Sequence, residues 1–483
     1  MALFLGFVLL FFIQLSGEGR ATKLKSLNFG TKTAYNHDKF SSVSSQRPDN
    51  CTPARIEFIS RHGSRFPSNG DRKDIDKLLK KLNGVYTATP SFRLKNLTLP
   101  WRKWAVWNDA DAKELSPRGE FEQYTIAKRL RSNFAEVFDK PHWNKYYKFI
   151  ARDKRRTAQS AMAFALGLFE NNTTRSQGPG RSKFRSVAIK SAGPEENDKL
   201  LSSYDACPRY VADSDKNGLP EVEKFTQGPE IRNVIRTIEK RLRINGTISL
   251  TFEDVDVIRR LCAFGIMNHE DDSWCALLDS ASLDVMNYVG DLKNFYEHSF
   301  GNELGYEIIC VLLADIIENL EDFSKGSSEA RGVFRFASSG TMFALLTALG
   351  AYDNGTTLSA SNFRPNSSRR FPSRLVPMSA NIALVLFKCN LRGKQNETQN
   401  YKVQILINEK PMGLPCCQGN ITCSFKEFLA YFKHTVDNCD FDAMCALRKD
   451  KSTTPKALGL VNRPGLLLVM MEMLFATFKM LNF

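Results

Sequence analysis

Apolar and polar positions alternate through Ala54-Arg55-Ile56-Glu57-Phe58-Ile59-Ser60, and the run stops at Arg61-His62-Gly63, with Pro67 close behind. Period-two alternation predicts a strand, and Gly63 and Pro67 predict the turn that leaves it. Lys73 to Leu82 reads as a helix whose lysines form a solvated face. Leu115 to Gly119 opens a helix running to Phe134, with Ser116 as its cap and Pro117 in its first turn. Lys145 to Arg152 is a second strand, and Ala161, Phe164, Ala165, Leu168 and Phe169 recur at the spacing of the helix that follows it. From about Asn171 to Asp322 the pattern changes to helices with no comparable strands: Pro229 to Leu242, Phe252 to Ile266, Ser282 to Phe300 and Ile308 to Phe323. Strand character returns at Gly332 to Ala337, followed by the turn Ser338-Ser339-Gly340 and an apolar helix from Thr341 to Leu349. Ile382 to Lys388 and Val403 to Ile407 read as an antiparallel pair.

Strands alternating with helices predict an α/β sheet, and the segregated helices predict a cap over its mouth. The expected division is an extended lead-in at 22–50, a core made of 51–170 and 325–450, an α-helical cap at 171–324 and an apolar tail at 451–483.

The chemistry concentrates at the end of the first strand. Arg61 and Arg65 flank His62, and a guanidinium fork matches the oxygens of a phosphoryl group. Neighbouring positive charge disfavours imidazolium, so these arginines would leave His62 neutral and nucleophilic. Arg156 falls between a strand end and a helix N-terminus, where free amides and the helix dipole favour an anion. Clamp and nucleophile together point to phosphate chemistry.

Composition narrows the partners. The 483 residues carry a net charge of +15 with 25% charged and 42% hydrophobic residues, which is globular in character and favours anionic ligands. No zinc-finger spacing and no phosphate-binding Gly-x-x-x-x-Gly-Lys-Ser/Thr loop is present, so nucleic acid and nucleoside triphosphates receive no support. The apolar run Ala2 to Leu15, ending in small residues before Ala21, reads as a secretory signal over 1–21. Asn-x-Ser/Thr acceptors at Asn50, Asn96, Asn171, Asn172, Asn245, Asn354, Asn366, Asn396 and Asn420 agree with a secreted or cell-surface glycoprotein. The 11 cysteines lack metal-ligand spacing and suit disulfides, with local pairs expected for Cys262 with Cys275 and for Cys416 or Cys417 with Cys423. An odd count leaves at least one unpaired or intermolecular. Leu466 to Phe483 is apolar but holds Glu472 and Lys479, and a charge at the centre of a membrane helix costs on the order of 3 kcal/mol. Small residues at Ser452 to Thr454, a spacer to Pro464 and this tail fit a removable GPI-anchor signal, which would give membrane attachment through a lipid.

Several stretches share one further property. Arg61 to Pro67, Arg156 to Phe164, Cys262 to Phe264, Gly305-Tyr306, Leu349-Gly350 and Asn408 to Pro411 resemble, in order, the multiple inositol polyphosphate phosphatase branch of the histidine acid phosphatases. The resemblance implies a phosphoglycerate-mutase-like core, a mixed and mainly parallel sheet with an inserted α-helical cap. It implies that His62 attacks phosphorus to form a phosphohistidine, that Arg61, Arg65 and Arg156 bind the phosphoryl oxygens, and that no metal or other cofactor is required. The implied substrate is an inositol polyphosphate. One position departs from the pattern. Where the family carries His-Ala-Glu, whose carboxylic acid protonates the leaving oxygen, this chain has Ser338, Ser339 and Gly340. None of its 6 histidines lies near this turn in sequence, and Glu329 should sit at the opposite end of the strand. Loss of a general acid costs roughly 100- to 10,000-fold in rate. Three functions follow: a phosphatase of altered or weakened activity, a non-catalytic binder of inositol phosphates or other polyanions, and a general secreted acid phosphatase.

Overall fold

The computed structural model describes residues 27–35, 46–88, 112–170, 186–244, 246–269, 271–352, 357–365, 373–390 and 400–448. The expected signal at 1–21, the tail at 451–483 and the acceptors Asn96, Asn171, Asn172, Asn245, Asn354, Asn366 and Asn396 lie outside these residues. Asn50 and Asn420 lie within them, and both are exposed.

Strand β1 (Cys51–Arg61) leads to helices α1 (Asn69–Ala88) and α2 (Pro117–Asn133), then to β2 (Tyr147–Ala151), α3 (Arg155–Phe169) and β3 (Ile189–Ser191). A run of helices follows: α4 (Pro208–Asn217), α5 (Pro220–Thr226), α6 (Pro229–Leu242), α7 (Phe252–His269), α8 (Ser280–His298), α9 (Glu303–Glu307) and α10 (Cys310–Ser324). The sheet resumes with β4 (Gly332–Ala337), followed by α11 (Ser339–Ala348), β5 (Asn381–Cys389), β6 (Tyr401–Ile407), β7 (Lys410–Pro411), β8 (Thr422–Ser424) and α12 (Phe425–Asp437).

Among the described residues one sheet runs in the order β3-β2-β4-β1-β5-β6-β7, with β8 beside β6. β3, β2, β4 and β1 are mutually parallel, so the strand ends Arg61, Ala151 and Ala337 come to one edge. β5 runs antiparallel to β1, and β6 antiparallel to β5, as the pattern of these two strands predicted. The α/β class and the mainly parallel sheet are therefore those expected. The expectation of no strand between Asn171 and Asp322 needs correction: Ile189–Ser191 extends the sheet beside β2. Three residues are too few for periodicity to show.

β1 is central and is buried on both faces. Phe58 stacks on Phe164 of α3 at 4.6 Å, and Phe149 stacks on Phe334 at 4.9 Å, tying β1, β2, β4 and α3 together. Each such side chain contributes about 1.5–3 kcal/mol on burial. The opposite face of the same strand holds Arg55 and Glu57, both fully buried. Glu57 accepts from Arg55 Nε at 2.8 Å and from Arg335 Nη1 at 2.7 Å, and Arg335 also pairs with Asp315. A buried charge persists only when so compensated. This double-sided anchoring fixes the direction in which Arg61 and His62 leave the sheet.

Five disulfides close among the described residues: Cys51–Cys389, Cys207–Cys445, Cys262–Cys275, Cys310–Cys439 and Cys417–Cys423. Both local pairs are among them, and Cys416 is the free, buried thiol. No helix of the described residues is long and apolar enough to cross a membrane.

Candidate active site

His62 follows the last residue of β1, and its amide donates to the Ala337 carbonyl at the end of β4. The turn beyond it is held by polar groups that the sequence reading missed. Glu122, on the buried side of α2, accepts from the Ser64 amide at 2.9 Å, from the Ser64 hydroxyl at 2.7 Å and from the Ser379 hydroxyl at 2.9 Å. Gln123 donates to the Arg61 carbonyl at 2.9 Å, and the Gly63 amide donates to Ser160 Oγ of α3 at 3.0 Å. Backbone meets backbone here. A Cβ on Gly63 would stand 2.5 Å from the Gly119 carbonyl oxygen, and one on Gly119 would stand 2.1 Å from that of Ser64. Two adjacent polar residues inside an otherwise amphipathic helix were the only signal for Glu122 and Gln123, and without the fold that signal reads as surface.

The imidazole of His62 is buried, 3% exposed, with Nδ1 2.9 Å from the Gly63 carbonyl. Donation from Nδ1–H to that carbonyl leaves the Nε2 lone pair available. Burial, reinforced by the charges of Arg61, Arg156 and Arg65, holds the ring well below the usual imidazole range. Sequence reasoning named the arginines as the cause of a neutral His62; desolvation is the larger one.

All three arginines expected to act together lie within electrostatic range of that ring. Arg61 Nη1 donates to the carbonyls of Thr31 at 2.6 Å and Val376 at 2.9 Å, which fixes its guanidinium. Arg65 donates to the Phe66 carbonyl and lies over the ring of Phe264, 5.9 Å from its centroid. Arg156 is the second residue of α3, and burial beside Arg65 and Arg152 pushes it down to about 10. The Nε atoms of Arg61 and Arg156 are buried and make no hydrogen bond. Buried donors without a partner, beside a buried neutral imidazole, favour an anion as that partner. Lys32 and Lys113 extend the positive field: burial pushes Lys32 down to about 7, Lys113 is also lowered, and both feel Arg65.

Around Ser338 and Gly340 the outcome differs from the sequence picture. Neither offers an ionisable group, but the space beside them is filled. Arg152, at the end of β2, donates from Nη1 to Ser338 Oγ at 2.8 Å and to Tyr204 Oη at 2.7 Å, while Nη2 faces Asp205 and Glu195. A Cβ on Gly340 would meet Tyr204 Cε1 at 2.8 Å and His298 Nε2 at 2.9 Å. A histidine thus does stand beside this turn, brought from the end of α8. Arg152 ends β2 much as Arg61 ends β1, a parallel visible in the sequence; Tyr204 and His298 had no sequence signal. Glu329 pairs with Lys145 at the other end of the strands, as expected. Among the described residues no three His, Cys, Asp or Glu side chains gather as a metal-binding group.

A histidine at the end of a central parallel strand, enclosed by guanidinium groups, is the arrangement of a phosphoryl-transfer site, and the pattern of the histidine phosphatase superfamily (branch 2) matches residues 55–408. The chain belongs to that superfamily. It is 27% identical to multiple inositol polyphosphate phosphatase 1 of Gallus gallus over 450 residues, covering 89% of this chain and 95% of the relative. The Homo sapiens protein of the same name is also 27% identical, with 88% and 90% covered. The crystal structure of the phytase from D. castellii superposes with a TM-score of 0.70 at 19% identity, covering 87% of each chain, which is a likeness of fold. The resemblance read from the motifs is borne out.

Proposed function

We propose that this chain is a phosphomonoesterase of the secretory pathway that dephosphorylates inositol polyphosphates through a phosphohistidine at His62. The observation that carries the reading is the neutral, buried imidazole set among Arg61, Arg65 and Arg156. In the first half-reaction Nε2 attacks phosphorus while the guanidinium groups bind its oxygens and stabilise the charge of a loose transition state. Water then releases phosphate, which divides one hard displacement into two easier ones. Lys32 and Lys113 suit the remaining phosphates of a polyanionic ring, and the names of the relatives agree with that substrate class. Five disulfides agree with an oxidising compartment, and the expected signal, acceptors and lipid-anchor tail complete the proposed location. Release from cells by a phosphatidylinositol-specific phospholipase tests the anchor.

The test of the chemistry is phosphate release from inositol hexakisphosphate by the full chain and by His62→Ala, together with mass spectrometry for a phosphoryl group on His62 after alkaline quench. Release lost in the variant and a labelled His62 support the reading. A second reading, a non-catalytic polyanion binder, is favoured by the missing acid at Ser338-Ser339-Gly340. It predicts tight binding with no release by the wild-type protein. A general acid phosphatase predicts release from simple esters without preference for inositol phosphates.

A further inference from the structure

An inositol alkoxide is a poor leaving group and needs a proton as the P–O bond breaks. The groups around the clamp are mostly unable to give one. Arg61, Arg65, Arg152 and Arg156 stay charged. Glu195 pairs with both Arg152 and Lys154, which lower its carboxyl and keep it ionised. Glu122 is occupied behind the His62 turn. The remaining proton-bearing group is the phenol of Tyr204, which burial pushes up against the pull of Arg152, so that it keeps its proton until one is demanded.

We propose that Tyr204 is the proton donor to the departing oxygen, a role that rests on the phosphatase reading above. Its Oη accepts from Arg152 Nη1 at 2.7 Å, and the same nitrogen holds Ser338 Oγ at 2.8 Å, which fixes the phenol at the end of β4 beside the His62 turn. Its ring edge fills the space that any side chain on Gly340 would need. It also lies within electrostatic range of Arg61 and Arg156, two members of the clamp. The hydroxyl also hydrogen-bonds the Thr341 side chain, whose own proton goes to the Leu201 carbonyl, so the phenolic proton reaches substrate by exchanging Thr341 for the leaving oxygen.

The steps balance. His62 Nε2 forms the N–P bond, the ester P–O pair passes to the leaving oxygen, and that oxygen takes the proton of Tyr204. Arg152 stabilises the tyrosinate. In the second half-reaction the tyrosinate takes a proton from the attacking water, the water oxygen bonds to phosphorus, and the N–P pair returns to His62. Tyr204 ends protonated. His298 packs on the Tyr204 ring with centroids 5.1 Å apart, and burial pushes it down to about 4, so that it is neutral over most of the pH range and serves to position the phenol.

The experiment compares inositol hexakisphosphate with 4-nitrophenyl phosphate, whose leaving group departs without a proton, using full-length wild type, His62→Ala, Tyr204→Phe and His298→Gln. Tyr204→Phe should lower kcat for inositol hexakisphosphate by roughly 10²- to 10⁴-fold and lower 4-nitrophenyl phosphate turnover much less, with an unchanged circular-dichroism spectrum showing that the variant folds. Equal loss on both esters, or no loss on the inositol ester, overturns the assignment. A selective loss in His298→Gln with none in Tyr204→Phe overturns it in favour of the imidazole. Failure of the phosphatase reading itself is recognised separately: wild type then shows no His62-dependent hydrolysis of either ester, and the donor role falls with it.

Discussion

The carboxylate of Glu122 accepts hydrogen bonds from both the backbone amide and the hydroxyl of Ser64, two residues beyond His62. Burial pushes that carboxyl up, against the pull of Ser64, Arg118 and Ser379. Glu122→Ala would leave buried donors on Ser64, Ser379 and Tyr35 without their acceptor. The expected outcome is a His62 turn displaced enough to lower kcat/KM roughly 10²-fold, with a lower melting temperature. Steady-state kinetics and calorimetry check it; wild-type kinetics in a destabilised variant would mean that the turn holds its shape unaided.

Arg156→Ala tests the electrostatics of the clamp. Loss of one preorganised donor should lower kcat roughly 10²- to 10³-fold. The pH profile should move as well. In the proposed mechanism His62 attacks only when neutral, and burial with three positive neighbours depresses its pKa. Removing one of those neighbours raises that pKa, so the acid limb of kcat/KM shifts to higher pH. Burial remains, so the shift is partial. An unmoved acid limb would show that the limb belongs to another group.

Asp291, in α8, is 1% exposed and accepts from the Ser373 amide at 3.3 Å. Burial pushes its carboxyl up to about 7, opposed by Ser373 and Arg374, against about 3.9 in an unfolded chain. The folded state therefore holds an extra proton between those values. Its stabilisation is fully present below about pH 4 and is lost as pH rises through about 7. Asp291→Asn should match wild type in melting temperature near pH 4 and exceed it at pH 8. A parallel offset at both pH values would rule out this linkage.

Glu57 joins Arg55 and Arg335 with no exposure of any of the three. Glu57→Ala leaves two buried guanidinium groups without their shared carboxylate, and breaking a buried pair in this way costs about 3–5 kcal/mol. Urea denaturation should show the loss. A change under about 1 kcal/mol, the size of a surface pair, would mean that Asp315 and backbone carbonyls suffice.

Legibility followed how local each cause was. Ile56 and Phe58 announced β1, but the same alternation suggests a polar face at Arg55 and Glu57, which only Arg335, 278 residues from Glu57, makes fit to bury. The bounds of helix α6, Pro229–Leu242, are legible in the sequence because a proline opens it and its apolar stripe is unbroken. Cys262–Cys275 and Cys417–Cys423, 13 and 6 residues apart, were within reach of spacing, whereas Cys207–Cys445 was not. At the site, Arg61, His62 and Arg65 sit in one short string and were found together. Arg152, Tyr204 and His298 meet beside Ser338 and Gly340 only because strand order and α8 bring them there. An empty motif in the sequence is thus an occupied one in space.

The position of β1 between β4 and β5 has a consequence for synthesis. Its two neighbours start at Gly332 and Asn381, and the cross-link from its first residue spans 338 positions. A ribosome must deliver most of the polypeptide before the strand that ends beside His62 has either flank, so the emerging N-terminal portion has to wait without its sheet neighbours.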